Sequence, residues 1–376
     1  MKIGVFAGDL FWSSCPYECL NVFSDVSRQF DTDYIMFERD IRLNKKWHGN
    51  EKFQFKTGKF TGCKKLRIIS TWDDLYKISK EYKTILTRCK FSPKQRFPHS
   101  IRKDLKCPLS VWDVGGLDIL VGHSLWADNF LVKGPEWKRY LEKVNSNKDS
   151  KSAVSLCPQY DPYYRTDMAY GNPILKDDFF KKYNLDRHKN ILLVAPSNPG
   201  SHTEMFNQNL DNLEKIVELS HQNNFQVLIK TYPHDYMFYE SEGMYTGVYK
   251  RKYGNMPQYE FLKNRIPEVI IIESQDHYSA MKHSSKIFNM SGSSISWESF
   301  FTNGTSYSMN LKDKKYYKTV SYLPSDITFP DDVFNIDVSS CDQIFDSDKE
   351  VEKGRAEMFF TYNNRDNIAN KLKDIL

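Results

Sequence analysis

The sequence predicts an α/β protein made of two open, doubly wound domains that face each other across a cleft, each with a parallel sheet. Three observations lead to this fold class. Short apolar runs alternate with stretches of helical periodicity along most of the chain. The alternation stops near the midpoint, in residues 157–172, which are rich in Pro, Tyr and Gly, and then restarts. The length of 376 residues is sufficient for two domains with a core each.

The first half alternates strands and helices from its start. An apolar run at residues 3–7 is followed by a helix, because apolar residues between Cys19 and Phe30 recur at helical spacing. A later helix begins near Gly134, with Pro135 in the first turn, where its missing N–H has no cost. Further strands are predicted at residues 34–37 and 84–86, a helix at residues 72–82, and apolar runs at residues 119–121 and 153–156 complete this half.

The second half repeats the pattern. The runs at residues 191–195, 225–229 and 269–272 are almost continuously apolar, which is typical of parallel strands covered on both faces. Further strands are predicted at residues 286–290 and 305–309, and helices at residues 210–220, 276–283, 294–303 and 368–376. The predicted domains are residues 1–160, which include a basic insert at 41–107, and residues 174–355, followed by a terminal helix, 356–376, that crosses back to the first domain.

Composition excludes several classes of protein. Hydrophobic residues make up 40% of the chain and charged residues 27%, which argues against disorder as the main state. No stretch of about 18 apolar residues is free of charge, so a membrane-spanning helix is not expected. Asp9 interrupts the first apolar run too early for a secretory signal, and the seven cysteines form no Cys-x-x-Cys pair. We therefore expect a cytoplasmic protein with reduced thiols.

The positive charge is concentrated in the first half. Residues 41–107 contain 19 Lys or Arg against 5 Asp or Glu, and several of these cations alternate with aromatic residues. This pattern suits an anionic partner, or a peripheral contact with the inner face of the membrane through residues 41–107. A basic face that is simply solvated is the alternative. No nucleic-acid module accompanies the charge, so a nucleic-acid partner is not expected.

A turn rich in serine and glycine gives the strongest indication of a binding site. It follows the predicted strand 286–290 and opens a helix, so its backbone N–H groups and the hydroxyls of Ser291, Ser293 and Ser294 can bind phosphate. Glu298 lies four residues after Ser294, on the same helix face, where it can accept hydrogen bonds from ribose hydroxyls. The alternative is that a serine only caps the helix and the glutamate only favours its first turn.

Two further loops follow predicted strands of the second half. Lys230 and His234 come directly after the strand 225–229, where a lysine can neutralise a phosphate and a histidine can donate to one or transfer a proton. As isolated residues they would be a solvated lysine and a turn histidine. Ser197 and Asn198 lie in a tight loop after the strand 191–195, which can approach a diphosphate closely.

The second half, which has these loops in this order along the chain, resembles the family of CDP-glycerol glycerophosphotransferases and related GT-B glycosyltransferases of capsule and cell-wall synthesis. The similarity covers residues 150–376 in ordered fragments. The fragments are 157–161 at the linker, 179–185 and 191–197, the loop 230–234, the serine element 291–298, and Arg355 before the terminal helix. The sequence departs from the family in two places. Tyr232-Pro233 replaces the family's His-Pro, with His234 on the other side, and Asp113 stands where the family has a histidine.

The resemblance implies a metal-independent GT-B transferase that moves a sugar from a nucleotide-activated donor to a saccharide or lipid-linked acceptor. The carboxy-terminal domain would hold the donor nucleotide, and the amino-terminal domain would present the acceptor. A base must take the acceptor proton. Asp9 follows the first apolar run, Asp113 lies in a Gly-rich segment and His123 follows the run at residues 119–121, so all three are candidates, and the alternative for each is a residue that caps a loop. The alternatives are a polyol-phosphate transferase of the CDP-glycerol type, an enzyme like UDP-N-acetylglucosamine 2-epimerase, or a catalytically silent glycan-binding protein.

Overall fold

The computed structural model describes residues 1–6, 16–38, 65–88, 99–114, 127–145, 149–164, 173–196, 203–230, 258–273, 276–290, 295–302, 304–309, 335–346, 357, 361 and 367–376. The described residues of Met1–Tyr170 and Glu357–Leu376 form one compact unit, and those of Gly171–Thr319 and Pro324–Ala356 form a second. None of the helices in these ranges is both long and apolar enough to cross a membrane.

The first unit is built on a seven-stranded sheet in which every described ladder is parallel. The strand order is β3-β2-β1-β4-β5-β6-β7, which is the doubly wound order with one strand added. Its elements are β1 (Lys2–Phe6), α1 (Pro16–Gln29), β2 (Asp31–Phe37), β3 (Lys65–Ile69), α2 (Trp72–Ser79), β4 (Thr84–Arg88), α3 (His99–Asp104), β5 (Leu109–Val114), β6 (Asn129–Val132), α4 (Pro135–Val144), β7 (Lys151–Val154) and α5 (Asp161–Tyr164).

The first core forms because the central strands are apolar on both faces. Ile3 and Val5 of β1 lie on one face of the sheet and Ile35 of β2 lies on the other, and none of the three has exposed surface. On α1, the apolar residues that recur at helical spacing are the buried ones, among them Val22 and Val26. Burying a side chain of this size stabilises the fold by about 1.5–3 kcal/mol, so this periodicity dictates which face of α1 packs on the sheet.

The second unit contains a six-stranded sheet with the order β10-β9-β8-β11-β12-β13, again parallel in every described ladder. Both sheets therefore have the strand order of a Rossmann-like domain, as predicted. Its elements are α6 (Lys176–Lys182), β8 (Asn190–Ala195), α7 (Thr203–Gln222), β9 (Phe225–Lys230), α8 (Gln258–Arg265), β10 (Ile270–Ile272), α9 (His277–His283), β11 (Lys286–Asn289), α10 (Ile295–Glu298), a 3₁₀ turn (Ser299–Phe301), β12 (Thr305–Met309), β13 (Asn335–Val338) and α11 (Gln343–Asp346).

The last helix, α12 (Ile368–Ile375), packs on the first unit. Its apolar side buries Ile368 and Leu372 in the core that also contains α1. Two polar contacts hold it at both ends. Gln29 of α1 donates a hydrogen bond to Asn370 at 2.7 Å, and the Lys151 ammonium donates to the backbone oxygen of Ile375 at 2.7 Å.

The predicted helix 294–303 is shorter in the structure. It consists of the four residues of α10 and the following 3₁₀ turn, and Thr302 ends it with an extended backbone. The backbone oxygen of Ser299 accepts hydrogen bonds from both the N–H and the hydroxyl of Thr302, at 3.1 Å each. Gly304 then passes close to the chain before β11, because a Cβ atom there would lie 2.8 Å from the backbone oxygen of Ser284. This close approach requires glycine and turns the chain directly into β12.

Candidate functional site

The order in which strands are added to the second sheet reverses between β8 and β11. The chain runs outward from β8 to β9 and β10, and then returns to β11 on the other side of β8. At the carboxyl edge of this pair, Ala195 lies in register with Asn289, and the Met290 N–H donates to the Ala195 oxygen at 3.0 Å. Open α/β sheets bind ligands outside the carboxyl ends of strands at such a reversal, so this edge is the candidate site.

Lys230 is the last residue of β9, next to β8, so it belongs to the same edge. It pairs in register with Ile272, the last residue of β10. The side chain is partly exposed, in contrast to Leu228 and Ile229 before it, which are buried. The end of β9 therefore changes from buried apolar residues to a partly exposed cation that can contact a ligand.

Glu298, the last residue of α10, is 2% exposed. Its carboxylate oxygen Oε2 lies 2.5 Å from Nε2 of His277, the first residue of α9. An ionised carboxylate only accepts hydrogen bonds, so opposite an ionised Glu298 the Nε2 atom is the donor. The two helices that follow β10 and β11 thus place a buried histidine and a buried acid in direct contact.

The second ring nitrogen of His277, Nδ1, is buried and has no hydrogen-bond partner among the residues that the structure describes. Burial lowers the pKa of this imidazole below its ordinary value, and the positive charge of Lys230 acts in the same direction, while Glu298 opposes both. The lowered pKa favours the neutral form of the ring. In the neutral ring with the proton on Nε2, Nδ1 holds a lone pair and can only accept a hydrogen bond.

Three side chains fix the start of α9. The carboxylate of Asp276 accepts a hydrogen bond from the Lys182 ammonium at 2.6 Å and one from the Tyr183 hydroxyl at 2.5 Å. The same tyrosine oxygen accepts the backbone N–H of Glu273 at 3.0 Å. Burial, together with the charge of Asp276, raises the pKa of Tyr183. These contacts tie the residue before His277 to α6 and restrict the position of the imidazole.

Of the residues selected from the sequence, the structure brings Lys230 close enough to the pair of Glu298 and His277 for its charge to act on the imidazole. Asp113 is the penultimate residue of β5, at a place where the register with β6 shifts. The other selected residues lie outside the described part of the chain: Asp9, His123, Ser197, Asn198, His234, Ser291, Ser293 and Ser294.

Sequence reasoning missed His277, although a usable signal was present. The pair Asp276-His277 follows the apolar strand β10 within a few residues, which is the same criterion that selected Lys230 after β9. The helical periodicity of residues 276–283 accounted for the segment without assigning a ligand to it. Within the described ranges, no group of three or more His, Cys, Asp or Glu side chains is placed to hold a metal ion.

Comparison with known proteins gives a different result for the sequence and for the structure. The sequence matches no protein-family model and no curated protein. The structure is similar to a UDP-GlcNAc 2-epimerase from Methanocaldococcus jannaschii in complex with UDP-GlcNAc and UDP. The TM-score is 0.54 at 11% sequence identity, and the match covers 100% of this chain and 99% of that one.

Two other solved structures show a comparable similarity. The UDP-GlcNAc 2-epimerase from Neisseria meningitidis bound to UDP-GlcNAc gives a TM-score of 0.52 at 11% identity, over 100% of this chain and 98% of that one. A variant of the wall teichoic acid polymerase TagF, soaked with CDPG, gives 0.53 at 10% identity, over 99% and 87%. The chain therefore has the two Rossmann-like domains of the GT-B fold, as the resemblance of its second half implied.

Proposed function

We propose that the chain is a GT-B-type glycosyltransferase that moves a sugar from a nucleotide-activated donor to a saccharide or lipid-linked acceptor in surface-glycan synthesis. The observation that carries the proposal is the buried pair of Glu298 and His277 beside Lys230, at the chain reversal of the second sheet. Solved proteins of the same fold are described with UDP-GlcNAc, UDP and CDPG, which supports a nucleotide-activated donor.

In the proposed donor site, each described residue has a separate task. Lys230 neutralises the diphosphate, and the Glu298 carboxylate accepts a hydrogen bond from a pentose hydroxyl. We assign to the same site the residues Ser197, Asn198, His234, Ser291, Ser293 and Ser294, which follow β8, β9 and β11 in the sequence. This assignment requires a nucleotide that has phosphate groups and a pentose with free hydroxyls. It does not identify the nucleobase.

The proposed reaction needs little from the protein beyond a base and a stabilised leaving group. A base in the first unit takes the proton of the acceptor hydroxyl, whose oxygen attacks the anomeric carbon of the donor sugar. The bond from this carbon to the phosphate oxygen breaks, and the nucleotide leaves with the negative charge, which Lys230 offsets. Asp9, Asp113 and His123 remain the candidate bases, and residues 41–107 the candidate region for an anionic or membrane-bound acceptor.

A second candidate is an epimerase that acts on the sugar of UDP-GlcNAc, because two of the structures compared above are enzymes of that description. The two candidates differ in what they require. An epimerase converts UDP-GlcNAc without any acceptor, whereas a transferase releases free nucleotide when an acceptor or water takes the sugar. Incubation of the purified chain with UDP-GlcNAc, followed by separation of the sugar nucleotides, distinguishes a 2-epimer from released UDP.

We expect Glu298→Gln to weaken nucleotide binding about tenfold. The substitution removes the hydrogen bond from the pentose hydroxyl to a charged acceptor, and such a bond contributes roughly 1.5 kcal/mol. The variant keeps an oxygen that can accept from His277, so its melting temperature should change little. Isothermal titration calorimetry with CDP, UDP and GDP measures the effect, and Glu218→Gln, an exposed residue of α7, is the control. An unchanged affinity for the nucleotide that the unmodified chain binds would remove the donor-site assignment.

Lys230→Gln should weaken the binding of nucleoside diphosphates by about 10- to 100-fold, since it removes one charge-assisted contact worth roughly 1.5–3 kcal/mol. The loss should be smaller for the corresponding nucleoside, which lacks the phosphates. Lys215→Gln is the matched control, because the ion pair of this lysine with Asp342 is exposed. Equal losses for diphosphate and nucleoside would contradict the phosphate role.

A further inference from the structure

The strand order of the first sheet reverses as well, between β1 and β4. The strands β2 and β3 lie on one side of β1, and β4 to β7 lie on the other. Arg88 is the last residue of β4, which pairs directly with β1, so it lies at the carboxyl edge of the sheet at this reversal. Open α/β sheets bind ligands at such a place, and the proposed donor site uses only the corresponding edge of the second sheet.

Arg88 lies where the burial of β4 ends. The four strand residues before it are all buried, whereas the arginine is partly exposed. Leu86 belongs to the first core, and residues two apart on a strand share a face of the sheet. The arginine therefore continues the face that packs against α1, but at a position that solvent reaches. It is an accessible cation at the edge of the sheet.

The ring of Trp112 holds the guanidinium of Arg88. The two residues are in register between β4 and β5, and the guanidinium carbon lies 5.2 Å from the centroid of the ring, within cation–π distance. Trp112 has no exposed surface and belongs to the first core, so its position is fixed. A neutral ring attracts a cation without cancelling its charge. The contact therefore positions the guanidinium and leaves it positively charged.

The strand β5 is irregular beside Arg88. Its register with β6 shifts between Val111 and Val114, so Trp112 and Asp113 lie in the irregular part. Bulges of this kind redirect side chains and are frequent next to active sites. Asp113 is a candidate base, and it directly follows the residue that pairs with Arg88. A group bound at Arg88 would therefore lie beside the position of a candidate base.

We infer that Arg88 is an acceptor-binding residue that recognises an oxyanion, the carboxylate or phosphate group of an acidic saccharide acceptor. This inference rests on the proposed function, in which the first unit presents the acceptor. A guanidinium donates two parallel hydrogen bonds to either kind of oxyanion, which an ammonium does not. Arg88 also belongs to the region 41–107, in which positive charge is concentrated. The edge of the first sheet thus selects acidic acceptors over neutral ones.

NMR of the full chain labelled with ¹⁵N-arginine tests the contact. Arg88→Lys identifies the Nε–H resonance of Arg88 by its loss. We expect this resonance to shift when glucuronic acid or glucose 1-phosphate is added, and to stay in place with glucose or UDP. The acid that shifts it at the lower concentration identifies the preferred oxyanion. The inference is overturned if neither acid moves the resonance, or if glucose or UDP moves it equally.

Affinities for the acidic sugar that the unmodified chain binds supply the second measurement. We expect Arg88→Gln to bind it about tenfold more weakly, because a charge-assisted contact is lost. Arg88→Lys keeps the charge but not the planar group, so it should recover only part of the affinity. Arg28→Gln is the control, since this arginine is exposed in the last turn of α1, at the amino ends of the strands. Unchanged affinity of Arg88→Gln overturns the inference, as does a lower melting temperature without a loss of affinity.

Nucleotide binding separates this inference from the proposed function. Arg88→Gln should bind UDP and CDP as the unmodified chain does, whereas Glu298→Gln should not. The proposed function fails when no nucleotide binds the unmodified chain, or when Glu298→Gln changes nothing. A loss of nucleotide affinity in Arg88→Gln would assign the arginine to the donor and overturn this inference alone.

Discussion

Replacing Asp33 by asparagine should lower the free energy of unfolding by about 3 kcal/mol at neutral pH, the low end of the cost of breaking a buried ion pair. The Asp33 side chain is 4% exposed and accepts hydrogen bonds from Lys2 at 2.9 Å, Arg67 at 3.2 Å and the Tyr82 hydroxyl at 3.1 Å. These groups come from three neighbouring strands and the turn before β4. The substitution removes the buried anion between Lys2 and Arg67, which both also pair with the more exposed Glu81.

The effect should depend on pH in a defined direction. Burial alone would raise the pKa of Asp33, but the hydrogen bonds from Lys2, Arg67 and Tyr82 outweigh it and lower the pKa below that of the unfolded chain, about 3.9. The folded state then binds fewer protons than the unfolded one. The stabilisation is fully present above the unfolded pKa and is lost as the pH falls through the folded value.

Urea denaturation at pH 7 and at pH 3.5 measures this difference between Asp33→Asn and the unmodified chain. The gap in unfolding free energy should be smaller at pH 3.5. Asp104→Asn, which changes an exposed residue at the end of α3, is the control and should stay within about 0.5 kcal/mol of the unmodified chain. An equal gap at both pH values would show that the charge of Asp33 is not the stabilising feature.

The second large effect is expected at α12. Leu372→Ala should destabilise the first unit by about 3 kcal/mol, within the 2–5 kcal/mol range for removing a buried leucine side chain. Leu372 has no exposed surface, and its core cluster includes residues of α1 and of the central strands. The surrounding strands cannot collapse into the space, because they are fixed by ladders on both sides.

Thermal unfolding followed by circular dichroism and calorimetry checks this prediction. Lys373→Ala, on the exposed side of the same helix, is the matched control. Because the chain has two units, their unfolding transitions can separate. The transition of the first unit should then move to lower temperature while that of the second unit stays. A change of less than 1 kcal/mol would mean that the helix is not part of the first core in solution.

The sequence predicts the interior strands of the second sheet well because apolar patterning is strongest there. Residues 191–195 and 225–229 are apolar throughout, and both are central parallel strands. β3, β5, β6 and β13 were missed. β3 and β13 lie at sheet edges, whereas β5 and β6 are interior strands of the first sheet, and β6 is only four residues long. β3 alternates Lys65 and Arg67 with apolar residues, and β13 is four residues long, so neither has the continuous apolar run of a covered strand.

Only part of the candidate site can be predicted from the sequence. Lys230 and Glu298 can be selected one by one, since each follows a predicted strand. Their relation to His277 depends on the order of strands in the sheet, which brings β10 and β11 to opposite sides of the β8–β9 pair. No local pattern encodes that order. The contact between residues 277 and 298 therefore appears only when the sheet is assembled.

The strictly parallel pairing of the described strands has a consequence for how this chain reaches its native state. Neighbouring parallel strands cannot be joined by a tight hairpin, so each ladder forms only after a crossover connection has brought its two strands together. The innermost pairs are the most distant in sequence: Val5 meets Leu86, and Val194 meets Phe288. Such high contact order makes acquisition of the native state slow and leaves strand edges transiently exposed to self-association. Recombinant production should accordingly benefit from low temperature and chaperones.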